Sequence, residues 1–198
     1  LENFGMLLGN KSFYRFLKLS EILQKTKNVK GDIIEFGIWN GNNLFTIKKI
    51  SDYYDFKKKI YGFDNFSGFP NPPKFKKKKT GKYIGKPKLI KKMIKFFNLQ
   101  KIFIVNDDIM NLPKYRKKFD KISFIYIDCN VFKVVDMILN ELSHKISKGG
   151  VIAFDEARNK FNKDEGKAMM KFYMKNKKNY KLLRLNANYQ PDAILIKK

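Results

Sequence analysis

Ile33-Ile34-Glu35-Phe36-Gly37-Ile38-Trp39-Asn40-Gly41 decides the fold, and Tyr61-Gly62-Phe63-Asp64-Asn65-Phe66-Ser67-Gly68-Phe69-Pro70 repeats its logic further along the chain. Each segment runs from a short apolar strand into a glycine-containing turn with a carboxylate beside it. An open α/β sheet builds a nucleotide-binding edge this way: glycine lets backbone and ligand approach, and the carboxylate accepts hydrogen bonds from ligand donors. The pair reads as a cofactor site. Gly37 and Gly41 do not form the Gly-x-Gly-x-x-Gly pattern of dinucleotide sites, which argues against an NAD-binding fold.

On either side of this stretch the periodicity alternates. Phe13, Phe16, Leu17, Ser20, Ile22 and Leu23 fall near helical spacing, so an amphipathic helix over 11–26 is expected inside an N-terminal helical segment, 1–30. Strands are expected at 32–36, 59–63, 102–105, 122–127 and 151–154, with helices near 43–54, 88–98, 131–144 and 163–175. Residues 180–185 and 193–196 flank a turn with Asn186, Asn188 and Pro191 and are expected to pair as a terminal hairpin. Strands alternating with helices imply right-handed crossovers and a mostly parallel sheet. Residues 65–87, with Pro70, Pro72, Pro73 and Pro87 and a lysine run, read as a long loop or lid.

A chain of 198 residues suits one α/β domain, 1–198, and 43% hydrophobic content with 19 Phe places it among globular proteins. No apolar run approaches the roughly 20 residues of a membrane helix, and no charged-then-apolar leader opens the sequence, so a soluble, cytoplasmic protein is expected. The single Cys129 excludes an internal disulfide and a cysteine metal cage. The sequence opens on Leu1 rather than Met, which leaves room for a preceding piece.

A net charge of +25 invites a nucleic-acid reading. Yet only Arg15, Arg116, Arg158 and Arg184 are arginine, the side chain best suited to bidentate phosphate or guanine contacts. The lysines are spread along the chain, and with abundant Asn, Ile and Phe they fit the drift of an AT-rich coding sequence. The dense run from Lys74 to Lys79 is the part placed to steer an anionic substrate.

The acids are more selective. Of only 18 Asp and Glu, Asp64, Asp107, Asp108, Asp128, Asp155 and Glu156 all fall just after expected strands, and Glu35 lies inside the first one. In a parallel sheet these strand ends share the edge where open α/β proteins bind ligands. Helix capping explains one or two such acids; it does not explain the repetition.

Glu35-Phe36-Gly37 with Gly41, the phrase from Gly62 to Pro70 around Asp64, Ile127-Asp128, and Gly149-Gly150-Val151-Ile152-Ala153-Phe154-Asp155-Glu156 together resemble the macrocin O-methyltransferase family. That family belongs to the class I S-adenosylmethionine-dependent methyltransferases, and the resemblance covers residues from about 31 to 157. It implies a Rossmann-like class I fold: a mostly parallel seven-stranded sheet, helices on both faces and a C-terminal antiparallel hairpin.

The resemblance also implies roles. Gly37 and Gly41 would let the backbone approach the methionine end of S-adenosylmethionine, Asp64 with Asn65 would receive the ribose hydroxyls, and Asp107 and Asp108 would lie at the adenine. Glu35 would orient the first loop and reach the cofactor's amino group, and Trp39 would line the pocket. Family members hold magnesium with a strand-four aspartate and an acidic pair after strand five, here Asp128, Asp155 and Glu156. Asp128 and Asp155 would then carry the chemistry by weakening the acceptor hydroxyl's proton. Members commonly read Asp-x-Asp-Leu-Tyr-Glu-Ser after strand four, whereas this chain reads Asp128-Cys129-Asn130-Val131-Phe132-Lys133-Val134. Asn130 can offer only a neutral oxygen, Lys133 would bring a cation if it pointed inward, and Glu156 is one methylene longer than the usual aspartate. His144 and Cys129 are expected to be structural.

The expected activity is O-methylation of a small-molecule hydroxyl, above all on a sugar in a glycoconjugate, nucleotide sugar or natural product. The alternatives are a nucleic-acid methyltransferase of the same fold and a non-catalytic subunit that keeps it. The acceptor and the oligomeric state are left open by the sequence.

Overall fold

The structure is a computed structural model that describes residues 9–68, 83–160 and 163–198. Helix α1 (Asn10–Thr26) leads into β1 (Asp32–Phe36), α2 (Asn42–Tyr53), β2 (Ile60–Asp64), α3 (Pro87–Phe96) and β3 (Ile102–Asn106). A 3-10 segment (Ile109–Lys118) follows, then β4 (Ile122–Ile127), α4 (Phe132–Leu142), β5 (Ile146–Phe154), α5 (Asp164–Asn176), β6 (Tyr180–Arg184) and β7 (Ala193–Lys197). The seven strands form one sheet in the order β3-β2-β1-β4-β5-β7-β6. Neighbours from β3 to β5 run parallel, whereas β7 is antiparallel to both β5 and β6. The terminal hairpin expected from the sequence is present.

Each face of the sheet buries its own core. Ile34, Phe36, Phe63, Ile125, Ile127, Ile152 and Phe154 point to one side, under Val135, Ile138 and Leu139 of α4 and Ala168, Met169 and Phe172 of α5. The alternate residues Ile33, Phe124, Tyr126, Val151 and Ala153 point to the other, where Leu19, Ile22 and Leu23 of α1 and Leu44 and Ile47 of α2 cover them. Burying each such leucine or isoleucine contributes about 1.5–3 kcal/mol, so α1 is a structural member of the fold. The helical spacing of Arg15, Leu19, Ile22 and Thr26 places Arg15 one turn beyond this apolar seam, toward the carboxyl ends of the strands.

Two elements depart from the sequence expectation. β5 begins at Ile146 and not near 151, because the chain pairs Ile122 with Ile146 and Phe124 with Val151 and bulges in between. Gly149 takes φ 79° there. The 3-10 segment has no apolar period of its own; Leu112 alone is buried in it, and the Asp108 carboxylate caps its start by accepting the Met110 N–H at 2.9 Å. Most of the expected lid and the lysine run 74–79 lie outside the described residues.

Candidate active site

The ends of β1, β2 and β4 are bound to one another before any ligand enters. Gly37 N–H donates to Phe63 O at 2.9 Å and Asp128 N–H donates to Phe36 O at 2.9 Å. A Cβ on Gly37 would lie 2.0 Å from the Asp128 carbonyl oxygen, and its φ is 86°, so both space and backbone conformation require glycine. Gly41 serves differently. At φ 81° it opens α2, and a Cβ there would meet the Phe45 ring at 3.2 Å.

Asp64 joins the two glycine turns. Its Oδ2 accepts the Trp39 N–H at 2.7 Å and its Oδ1 accepts the Phe66 N–H at 2.7 Å. Burial raises its pKa, and the two amides pull it back. Each oxygen keeps acceptor capacity beyond its one amide. Trp39 is 44% exposed, adopts φ 45°, donates its indole N–H to Ile84 O at 3.3 Å and meets Tyr83 edge-on. Asn65 turns its Oδ1 to the Ser67 N–H at 2.9 Å.

Glu35 is 1% exposed. Its Oε1 accepts from Asn43 Nδ2 at 3.1 Å, whereas Glu35 Oε2 and Asn43 Oδ1 have no hydrogen-bond partner among the described residues. Burial pushes the Glu35 pKa up to about 8, against the opposing pull of Asn43 and Arg15. Two buried acceptors without donors are costly unless a donor-bearing ligand meets them.

Asp107 is bonded locally through both of its oxygens, whereas Asp108 uses Oδ1 for the cap. Asp107 Oδ1 accepts from the Asp108 N–H and from Asn111 Nδ2, both at 2.8 Å, and Oδ2 accepts from the Tyr115 hydroxyl at 2.8 Å. The bonds from Asn111 and Tyr115 hold its pKa below the usual carboxylate range. Asp107 N–H also donates to Asp64 O at 3.2 Å, which keeps this turn beside the β2 end.

The acids after β4 and β5 meet partners the sequence did not suggest. Asp128 and Asp155 both reach the same edge, and Asp155 N–H donates to Ile127 O at 2.9 Å. Asp155 Oδ1, however, accepts from Arg15 Nη2 at 3.1 Å and from the Tyr126 hydroxyl. Glu156 turns away to Gln190 Nε2 and Asn159 Nδ2, each at 2.8 Å. Asp128, Asp155 and Glu156 therefore do not gather as the expected metal trio, and among the described residues no three His, Cys, Asp or Glu side chains do. Lys133 is exposed; the cation at this edge is Arg15.

Register explains the meeting. Glu35 pairs with Tyr126, Tyr126 pairs with Ala153, and Asp155 lies two residues beyond Ala153, so the pleat sends Glu35, Tyr126 and Asp155 to the face that α1 covers. Burial raises the Asp128 pKa well above its usual value, reinforced by Asp155 and Glu165. Burial likewise raises Asp155, with Arg15 and Tyr126 opposing. Burial also works against the Arg15 charge, but Tyr126, Asp155, Asp128 and Glu35 outweigh it and the guanidinium stays protonated.

Sequence reading missed Arg15, Tyr126, Asn43 and Glu165. Tyr126 was hidden in an apolar strand, and Arg15 was one polar residue of an amphipathic helix. Glu165, fully buried at the start of α5, accepts the Glu156 N–H at 2.9 Å. His144 is exposed and Cys129 is buried with its thiol pKa raised by that burial, in keeping with structural roles.

Comparison with known proteins follows the same lines. A family profile described as Macrocin-O-methyltransferase (TylF) matches residues 6–186. The solved structure of the calicheamicin methyltransferase CalS11 is similar at TM-score 0.82 and 21% identity, over 99% of this chain and 83% of that one. The apo structure of CalS11, a TDP-rhamnose 3'-O-methyltransferase of calicheamicin biosynthesis, gives TM-score 0.77 at 21% identity, over 99% of this chain and 84% of that one. The O-methyltransferase NovP gives TM-score 0.77 at 16% identity, over 93% and 79%. Among proteins of curated function, none matches the chain by sequence. The structural likenesses establish a Rossmann-like class I methyltransferase fold.

Proposed function

The chain belongs to the macrocin O-methyltransferase (TylF) family, and on that premise we propose that it transfers the methyl group of S-adenosylmethionine to a hydroxyl of a small molecule, a sugar in a glycoconjugate, nucleotide sugar or natural product. The observation that carries the cofactor is the buried pair Glu35 Oε2 and Asn43 Oδ1, acceptors without donors at the carboxyl edge of β1. A donor such as the cofactor's ammonium group is what these acceptors lack. Asp64 complements them with the acceptor capacity left for two ribose hydroxyls after it binds the Trp39 and Phe66 amides. The sugar acceptor is supported by CalS11, whose description names a TDP-rhamnose methyltransferase.

Bound S-adenosylmethionine supplies an electrophilic methyl group. The protein's task is then alignment of the acceptor oxygen and removal of its proton. In this reading Asp128, at the carboxyl end of β4, takes that proton, and burial raises its pKa above that of an exposed aspartate. Asp155, held by Arg15 and Tyr126 at the end of the neighbouring strand, is assigned to orienting the acceptor. The magnesium implied by the resemblance does not fit these donors as they stand, because Asp155 is engaged by Arg15 and Glu156 by Gln190 and Asn159. No step is assigned to it.

The test pairs calorimetry of S-adenosylmethionine binding with transfer of labelled methyl groups to a panel of nucleotide sugars. Cofactor binding that is lost in Glu35→Ala, with turnover lost in Asp128→Asn, is expected. Binding that ignores Glu35 overturns the cofactor site; cofactor binding with methylation of RNA but of no sugar overturns the acceptor class.

A further inference from the structure

Arg15 reaches the site from α1, 140 positions before the carboxylate it pairs with. Its side chain is 24% exposed and that of Asp155 only 4%, so the pair sits at the mouth of the site with the acid on the buried side. The Nη2 group donates to Asp155 Oδ1 at 3.1 Å and to Gln190 Oε1 at 2.6 Å, which leaves the Nη1 and Nε hydrogens outside these two bonds. Gln190 in turn donates to Glu156 Oε1, so the same guanidinium orients the amide that holds Glu156. A divalent ion at this edge would compete with Arg15 for Asp155 Oδ1 and with Gln190 and Asn159 for the two oxygens of Glu156.

We infer that Arg15 is the resident cation of this edge: its guanidinium, rather than a divalent ion, neutralises Asp155 and holds that carboxyl and Glu156 in their positions. This role rests on the methyl-transfer reading only for its catalytic consequence, and the arrangement itself is testable without turnover. Arg15 is thus a positioning residue. Its planar guanidinium bridges the Asp155 carboxylate and the Gln190 carbonyl oxygen at once; a lysine ammonium would supply the charge without the fork.

The experiment is a titration of the whole protein with Mn2+ followed by electron paramagnetic resonance, on the parent chain and on Arg15→Gln. The parent is expected to leave the ion free, and Arg15→Gln to bind it about tenfold or more tightly as Asp155 and Glu156 are released. Stoichiometric Mn2+ binding by the parent that disappears in Asp155→Asn overturns the inference, and this arm needs no Arg15 variant to fold. Where an acceptor is in hand, transfer by the parent is expected to survive chelator, to fall in Arg15→Ala and to be restored in part by added guanidinium ion. Loss of parent activity to chelator, with recovery on Mg2+, overturns it as well. Absence of any methyl transfer would sink the functional reading while the Mn2+ titration still decides the role of Arg15.

Discussion

The carboxylate of Asp64 lies 2.7 Å from the main-chain nitrogen of Trp39, so the turn after β1 is held by the last residue of β2. A second amide, that of Phe66, satisfies the other oxygen at the same distance. Trp39 sits at φ 45°, a conformation a tryptophan keeps only when its surroundings hold it.

Asp64→Asn keeps the volume but replaces one acceptor oxygen with a donor that faces an N–H. The loss of one charge-assisted hydrogen bond costs about 1.5–3 kcal/mol. Cofactor affinity is therefore expected to drop about tenfold or more. Calorimetry checks it, and unchanged affinity would remove Asp64 from the site.

Gly37→Ala places a methyl group 2.0 Å from the Asp128 carbonyl oxygen at φ 86°. Backbone cannot yield there without parting β1 from β4, so destabilisation above about 3 kcal/mol is expected. Gly41→Ala meets only side chains, the Phe45 ring at 3.2 Å and Ile90 at 3.4 Å, and pays mainly the left-handed strain, about 1–2 kcal/mol. Urea denaturation of the two variants side by side gives the comparison; equal losses would contradict it.

Glu35 links stability to pH. Its pKa rises from 4.5 when unfolded to about 8 when folded, so between these values the folded chain binds the extra proton. Stability from this group is present below the lower value and is lost as pH rises toward the upper one. At about 1.4 kcal/mol per unit, the loss amounts to a few kcal/mol. Without cofactor, Glu35→Gln is expected to gain on the parent as pH rises from 5 to about 8 and then hold its lead. A thermal-melt series across that range that shows parallel curves would refute it.

Asp108 caps the 3-10 segment through the Met110 N–H. Asp108→Ala is expected to cost about 1 kcal/mol of stability. Cofactor affinity should change by less than about threefold if the cap, made through Oδ1, is the main role of this side chain. A large fall in affinity with unchanged stability would instead assign Asp108 to the adenine.

Much of the architecture was legible along the chain, and the reason is local. Continuous apolar runs such as 122–127 suit strands buried on both faces, as in a parallel sheet, and Asp64, Asp128 and Asp155 fall at its carboxyl edge, with Glu35 inside β1. The 3-10 segment escaped because one buried residue, Leu112, makes no period. Asn43 escaped because its partnership with Glu35 joins a helix to a strand.

By itself, the sequence determined the strand-helix alternation, the glycine turns and the family, since these depend on spacing and on residues such as Gly37 that no other side chain can replace. Only the tertiary structure decided which charge Asp155 meets. Strand register and pleat parity bring Tyr126 and Asp155 to the face covered by α1, and the helical turn beyond Leu19 delivers Arg15 to them across 140 positions. A long-range pairing of this kind leaves no periodic trace in the chain, because its two halves are fixed by separate elements that meet only when the sheet closes.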